Sequence, residues 1–197
     1  MKVLLDTNII VTYLTKREDK YSKEIEIIMQ KCIDKELDGY VAFHSLSILW
    51  YVLRHSPWDE RLYSLTLICM AFRIASASKM RILRALKNSG FNDFEDNLQD
   101  CCAQQVNADY IVTANVKDYA GHSIVTAITP LELLNHLQDY STDVDTGSNG
   151  SIPHEVHESE DEYQFIRVLS PVPHWHFVSP EFFYSVRAPR CLDAPVA

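Results

Sequence analysis

Three apolar residues, Val3-Leu4-Leu5, run straight into an acid, Asp6, and then into Thr7-Asn8. A run this short and this uniformly apolar fits a strand buried on both faces, as in a parallel sheet. Met1-Lys2 opens like a signal peptide, but Asp6 interrupts the apolar stretch almost at once, so a first strand is the better reading. The alternation then repeats. Thr7 and Asn8 cap a predicted helix to about Leu14, and Tyr21 to Leu37 is predicted helical from Ile25, Ile28, Met29 and Cys32 at three- and four-residue spacing. Gly39 is expected to stop it, and Tyr40 to Phe43 to form a second strand. Helices are expected over Ser45–Arg54, Asp59 to about Met70, Lys79–Lys87 and Asp93–Val106, with a β-like stretch at Phe72–Ser76. Tyr110–Thr113 and Ser123–Ala127 read as strands, and Pro130 to about Leu137 as a last helix. Such alternation implies βα crossovers and a mostly parallel sheet covered on both faces. Sites in these sheets form at the carboxyl ends of strands, which is where Asp6 and Asn115 fall.

Residues 1–140 therefore read as one α/β domain. From Ser141 the character changes to an acidic, flexible linker over 141–163, then to an aromatic, proline-punctuated tail over 164–197 with little to order it. No apolar run reaches the roughly 18–20 residues that span a bilayer. Five cysteines, with Cys101 and Cys102 adjacent and no Cys-x-x-Cys pair, argue against a disulfide framework or zinc cage. They fit a reducing compartment, with the cytoplasm as the expectation.

The net charge of −9 is unfavourable for binding nucleic acid, so its distribution matters. From Ser141 onward nine acids face three arginines, which accounts for −6 of the total. Arg61 to Asn92, by contrast, holds Arg61, Arg73, Lys79, Arg81, Arg84 and Lys87 with no acid. A phosphate backbone responds to such local patches, although a solvated helix face balanced by acids nearby in space is the plainer account.

The acids carry the chemistry. A lone carboxylate at the end of a buried strand, as at Asp6, is costly unless it is paired or bound to a cation. Asp93-Phe94-Glu95-Asp96 opens a helix, with Asp93 and Asp96 spaced to share one face and Asp100 one turn later. Asn115 and Asp118 follow a strand end. Oxygen ligands from separate strand and helix ends suit Mg²⁺ or Mn²⁺. There are plainer accounts here too. Asn92 with Glu95 resembles a capping box, and Asp6 is a reasonable helix N-cap. The paired histidines His154/His157 and His174/His176 lack cysteine partners and read as chance.

Val3-Leu4-Leu5-Asp6-Thr7-Asn8 resembles the opening motif of PIN-domain ribonucleases. Asp93-Phe94-Glu95-Asp96-Asn97-Leu98-Gln99 and Ala108–Tyr119 are similar to the rest of that signature, and His44–Arg54 to its second helix-opening segment. The likeness covers about Met1 to Leu137. It implies a three-layer α/β/α fold and clustered acids holding Mg²⁺ or Mn²⁺ for RNA hydrolysis. Asp6, Asp96 and Asp118 would be the metal ligands, with Asp93 a further catalytic candidate. Asn8, Thr113 and Asn115 would orient waters or phosphate oxygens, and Arg73, Lys79, Arg81, Arg84 and Lys87 would hold the RNA backbone. It also implies a toxin of a type II toxin–antitoxin pair, a small antitoxin partner and a homodimer. Two positions depart from the pattern: Ile48 stands where the second segment usually carries a metal-associated Glu, and Asn115 where an acid is common. They keep open a degenerate PIN domain that binds RNA or a protein without cutting. An unrelated receiver-like α/β module is a third reading, but it lacks a convincing downstream Lys.

Overall fold

The first strand takes the centre of the sheet, as its uninterrupted burial requires. In the computed structural model, which describes residues 1–144, β1 (Lys2–Leu5) lies between β2 (Asp38–Ala42) and β4 (Tyr110–Val112). β3 (Arg73–Ala75) and β5 (Ala127–Ile128) form the two edges, giving the order β3-β2-β1-β4-β5 with every pair parallel. Side chains alternate across this sheet. Val3, Leu5, Val41, Val112 and Ile128 face one core together with residues of α1 (Thr7–Thr15), α2 (Ser22–Ile33), α3 (Phe43–Val52), α4 (Trp58–Ala71) and α8 (Pro130–Val144). Leu4, Tyr40, Ala42, Ala75 and Ile111 face the other, packed against α6 (Phe94–Val106) and α7 (Val116–Tyr119), with α5 (Lys79–Ala85) resting on α6. The expected α/β/α sandwich is the observed one.

Several boundaries differ from the sequence reading for local physical reasons. The helix of residues 22–33 stops short of Leu37, and Gly39 lies inside β2 instead of ending a helix. A Cβ there would meet Cys32 Sγ and a Phe72 ring carbon, each at 2.8 Å, so only glycine lets β2 approach this closely. The strand expected over Ser123–Ala127 is Ala127–Ile128, because Ser123 to Val125 are held in a loop by Asp100. Asp93, not Asn92, caps α6: its Oδ1 accepts from the Glu95 backbone N–H at 2.7 Å. Asp6, not Thr7 or Asn8, occupies the N-cap position of α1. The last helix continues to Val144, through four residues that read as linker. The rest of the linker, the aromatic tail and the histidine pairs lie outside the described residues. Among those described, no helix is long and apolar enough to cross a membrane, and Cys32, Cys69, Cys101 and Cys102 are free thiols.

Candidate metal centre

The chain leaves β1 towards β2 on one side and reaches β4 on the other, so the crevice between the carboxyl ends of β1 and β4 is the topological switch point of the sheet. Asp6 stands there, its backbone N–H donating to Val112 O at 3.0 Å as the ladder ends. Its carboxylate is only 4% exposed. Oδ2 accepts from the Thr113 hydroxyl at 2.7 Å and from Asn8 Nδ2 at 2.6 Å. Asn8 also donates to Thr113 Oγ1 at 3.1 Å and accepts from the Ala114 N–H. Asn8 and the fully buried Thr113 therefore hold Asp6, which is a different task from orienting waters or phosphate oxygens. Asn115 is exposed, with only its backbone N–H engaged in this group, on Thr113 Oγ1.

The first turn of α6 brings the remaining acids. Asp96 is half-buried and feels Asp93, Asp118 and Glu95, while Asp6 feels Asp96 and Glu95. Burial, with these like charges adding to it, pushes Asp6 up to about 7, against the lowering effect of its Thr113 and Thr7 hydrogen bonds. Burial first and then the neighbouring acids push Asp96 to about 6. The Tyr119 hydroxyl is buried close to Asp96 without meeting the geometry of a hydrogen bond, and burial beside these carboxylates raises its pKa as well. Among the described residues no ion pair reaches the cluster: the pairs there are Lys16–Glu26, Lys31–Glu36 and Arg73–Asp38.

Glu95 is the member that sequence reasoning missed. Its Oε1 accepts from the Thr7 hydroxyl at 2.6 Å, and Thr7 Oγ1 lies 2.8 Å from Ser45 Oγ in the first turn of α3. Gln99 Nε2 donates to both hydroxyls, at 2.8 and 3.0 Å. His44 beside Ser45 also senses Glu95, although burial dominates and lowers its pKa. The acid thus sits where α1, α3 and α6 meet. Its position in the first helical turn is what disguised it as half of a capping box.

A family model for the PIN domain matches residues 2–117. The chain belongs to the PIN-domain family. Solved structures with a similar chain trace include VapBC2 from Rickettsia felis bound to a DNA fragment from its promoter, at 20% identity and a TM-score of 0.49. That likeness covers 66% of this chain and 98% of the other. VapBC-1 from nontypeable Haemophilus influenzae is similar at 18% identity and a TM-score of 0.46, covering 66% and 99%. A comparison with curated proteins gives no match.

The donor set of this PIN domain suits a hard divalent cation: carboxylate oxygens, two of them with raised pKa values, and no ion pair to them among the described residues. Among the described residues no three His, Cys, Asp or Glu side chains converge tightly enough to enclose an ion by themselves. Mg²⁺ is commonly held by one or two carboxylates with its remaining positions left to water or substrate phosphate, so an open acidic crevice fits it better than a closed cage would. Ile48, where the family pattern usually carries Glu, is half-buried on α3. Glu95 contributes a carboxylate from α6 beside the first turn of that same helix.

The basic segment divides. Arg73 pairs with Asp38 at 3.4 Å and donates to Tyr40 Oη, two residues near the amino end of β2. Arg81 donates to Gln104 and Gln105 near the far end of α6, about 12 Å of helix away from Asp96. Lys79, Arg84 and Lys87 are exposed on and just after α5.

Proposed function

We propose that this PIN domain is a metal-dependent endoribonuclease that hydrolyses RNA phosphodiester bonds with Mg²⁺ or Mn²⁺. The observation that carries the reading is the group of acids gathered at the β1/β4 switch point with no ion pair to them among the described residues. Asp6, Asp96 and Asp118 would hold the cation, Glu95 standing in for the carboxylate missing at Ile48 and Asp93 fixing the helix that presents Asp96. When bound, the ion supplies Lewis-acid charge and an activated water. The chain's own part is electrostatic and positional: Thr113 and Asn8 fix the Asp6 oxygens, and Asp6, whose pKa burial raises to about 7, would be held ionised by a bound cation. The sequence resemblance that suggests this chemistry also suggests a cytoplasmic toxin, dimeric and neutralised by a small antitoxin protein. The domain of residues 1–140, followed by an acidic linker and tail, is part of the same proposal.

A non-cleaving PIN domain that binds RNA or a protein partner is the second reading, favoured by Ile48 and by the absence of a preformed ligand cage among the described residues. Cleavage of a mixed single-stranded and structured RNA panel with Mg²⁺, Mn²⁺ or EDTA separates the two. Metal-dependent cutting that falls at least about 100-fold in Asp6→Asn and Glu95→Gln supports the nuclease. A folded protein that cuts nothing with either metal leaves the binding reading.

A further inference from the structure

We propose that the outward stripe of α3 and the start of α4 form a base-stacking track for single-stranded RNA that leads into the acidic cluster; this rests on the nuclease reading and specifies how its substrate is held. Three large aromatic side chains stand out into solvent there: Phe43 at 66% exposure, Tyr51 at 64% and Trp58 at 63%. Phe43 and Tyr51 are two i, i+4 steps apart, with exposed Ser47 between them, so they share one helix face over about 12 Å.

Two arginines build planar layers into this stripe. Arg54 lies 4.3 Å over the Tyr51 ring and donates to the Tyr51 carbonyl at 3.2 Å. Arg61 lies 3.7 Å over Trp50 and 5.9 Å from Trp58, and the two indoles meet edge to face at 5.0 Å. Asp59 and Glu60, the acids in the first turn of α4, form no ion pair with either guanidinium. Rings and guanidinium planes held in place by packing are the surfaces on which unpaired bases stack.

The stripe also has a direction. Its Phe43 end opens α3 directly after β2, at the same carboxyl edge of the sheet where Asp6 follows β1. A strand lying along α3 would therefore deliver its backbone to the acids.

Charge favours a grip on bases. The acids crowded at the crevice repel phosphate until a cation is present, and Arg73 and Arg81 are engaged elsewhere. Stacking needs no net positive charge, so binding through this track has a shallow salt dependence, unlike binding through phosphate contacts.

The test is fluorescence anisotropy of the full chain with a labelled single-stranded RNA 12-mer and its duplex, in EDTA, at two salt concentrations. Single-strand preference, a shallow salt slope and a roughly 5- to 100-fold loss in Tyr51→Ala, with Tyr51→Phe close to wild type, are expected. Phe43→Ala and Trp58→Ala lose binding within the same range. No binding in EDTA, binding untouched by these variants, or a steep salt slope abolished by Lys79→Ala/Arg84→Ala/Lys87→Ala overturns the track. So does a Tyr51→Ala variant that changes only the sedimentation coefficient or capture of a protein partner, which makes the face a protein interface. Track-dependent binding with no cleavage in Mg²⁺ or Mn²⁺ would sink the nuclease reading alone; metal-dependent cleavage indifferent to Tyr51→Ala would sink the track alone.

Discussion

Asp6 and Asp100 are carboxylates of nearly equal burial, 4% and 3% exposed, on neighbouring elements of one core, yet their surroundings are opposite. Asp100 is enclosed by donors. Its Oδ1 accepts from the Ser123 hydroxyl at 2.6 Å and from the Ile124 and Val125 N–H groups at 3.1 Å, and its Oδ2 accepts from Gln104 at 2.6 Å. That arrangement pins the loop before β5. Asp6 has Thr113 and Asn8 as side-chain donors and further acids as neighbours. Burial therefore does not separate a structural acid from a chemical one. The supply of donors does: Asp100 is complete within the fold, whereas Asp6 is still short of positive charge.

The comparison can be broken hardest at Asp100. Asp100→Ala strands the loop donors and is expected to lose on the order of 3–5 kcal/mol, read from the urea midpoint and not recovered by Mg²⁺. A loss below about 1 kcal/mol would mean the loop is held some other way.

Asp6→Asn should do the reverse. The folded-state pKa of about 7 lies above the ordinary 3.8, so the folded chain holds this proton more tightly than the unfolded one. Ionisation therefore costs stability progressively as pH climbs from about 4 to about 7, and the cost stays constant above that. The Asn variant escapes this, and at pH 8 without metal it should be more stable than wild type by on the order of 1–3 kcal/mol. Below about pH 4 the difference should vanish. An Asn variant less stable at pH 8 than at pH 4, relative to wild type, would show that Asp6 is already compensated.

Metal binding sharpens the same contrast. With Asp6 at about 7 and Asp96 at about 6, affinity for Mg²⁺ or Mn²⁺ should rise across that interval, and protons should be released on binding near pH 6. Calorimetry in buffers of different ionisation heat measures the release; none at pH 6 would contradict the raised pKa values. The smallest effect belongs to Thr113→Val. It removes one donor from Asp6 and the acceptor of Asn8 and of the Asn115 N–H at a cost on the order of 1–2 kcal/mol of stability, and should move the pH midpoint of metal binding upward.

The strands were readable in the sequence because apolar triplets such as Val3-Leu4-Leu5 have few alternatives, and Asp6 was readable because it follows one directly. Glu95 was not, because an acid in the first turn of a helix has a local explanation whether or not it also faces a site. The basic segment divides for a related reason. Adjacency along the chain from Arg73 to Lys87 spans an edge strand and a helix, and the partners that claim Arg73 and Arg81 lie at Asp38 and Gln104, far off in sequence. Local patterns report local structure; whether a charge is free depends on contacts that only the fold supplies.

The central place of β1 also sets a timetable. Asp6 leaves the ribosome well before its Thr113 partner, which is 107 positions later, and Asp118 is later still. A nascent chain that has emerged only through β3 can pair β1 with β2 and still lack half of the crevice. Vectorial synthesis thus keeps the acids apart until translation of the domain is nearly finished. Whatever the cluster does, it cannot begin until the segment that carries Thr113 and Asp118 has been made.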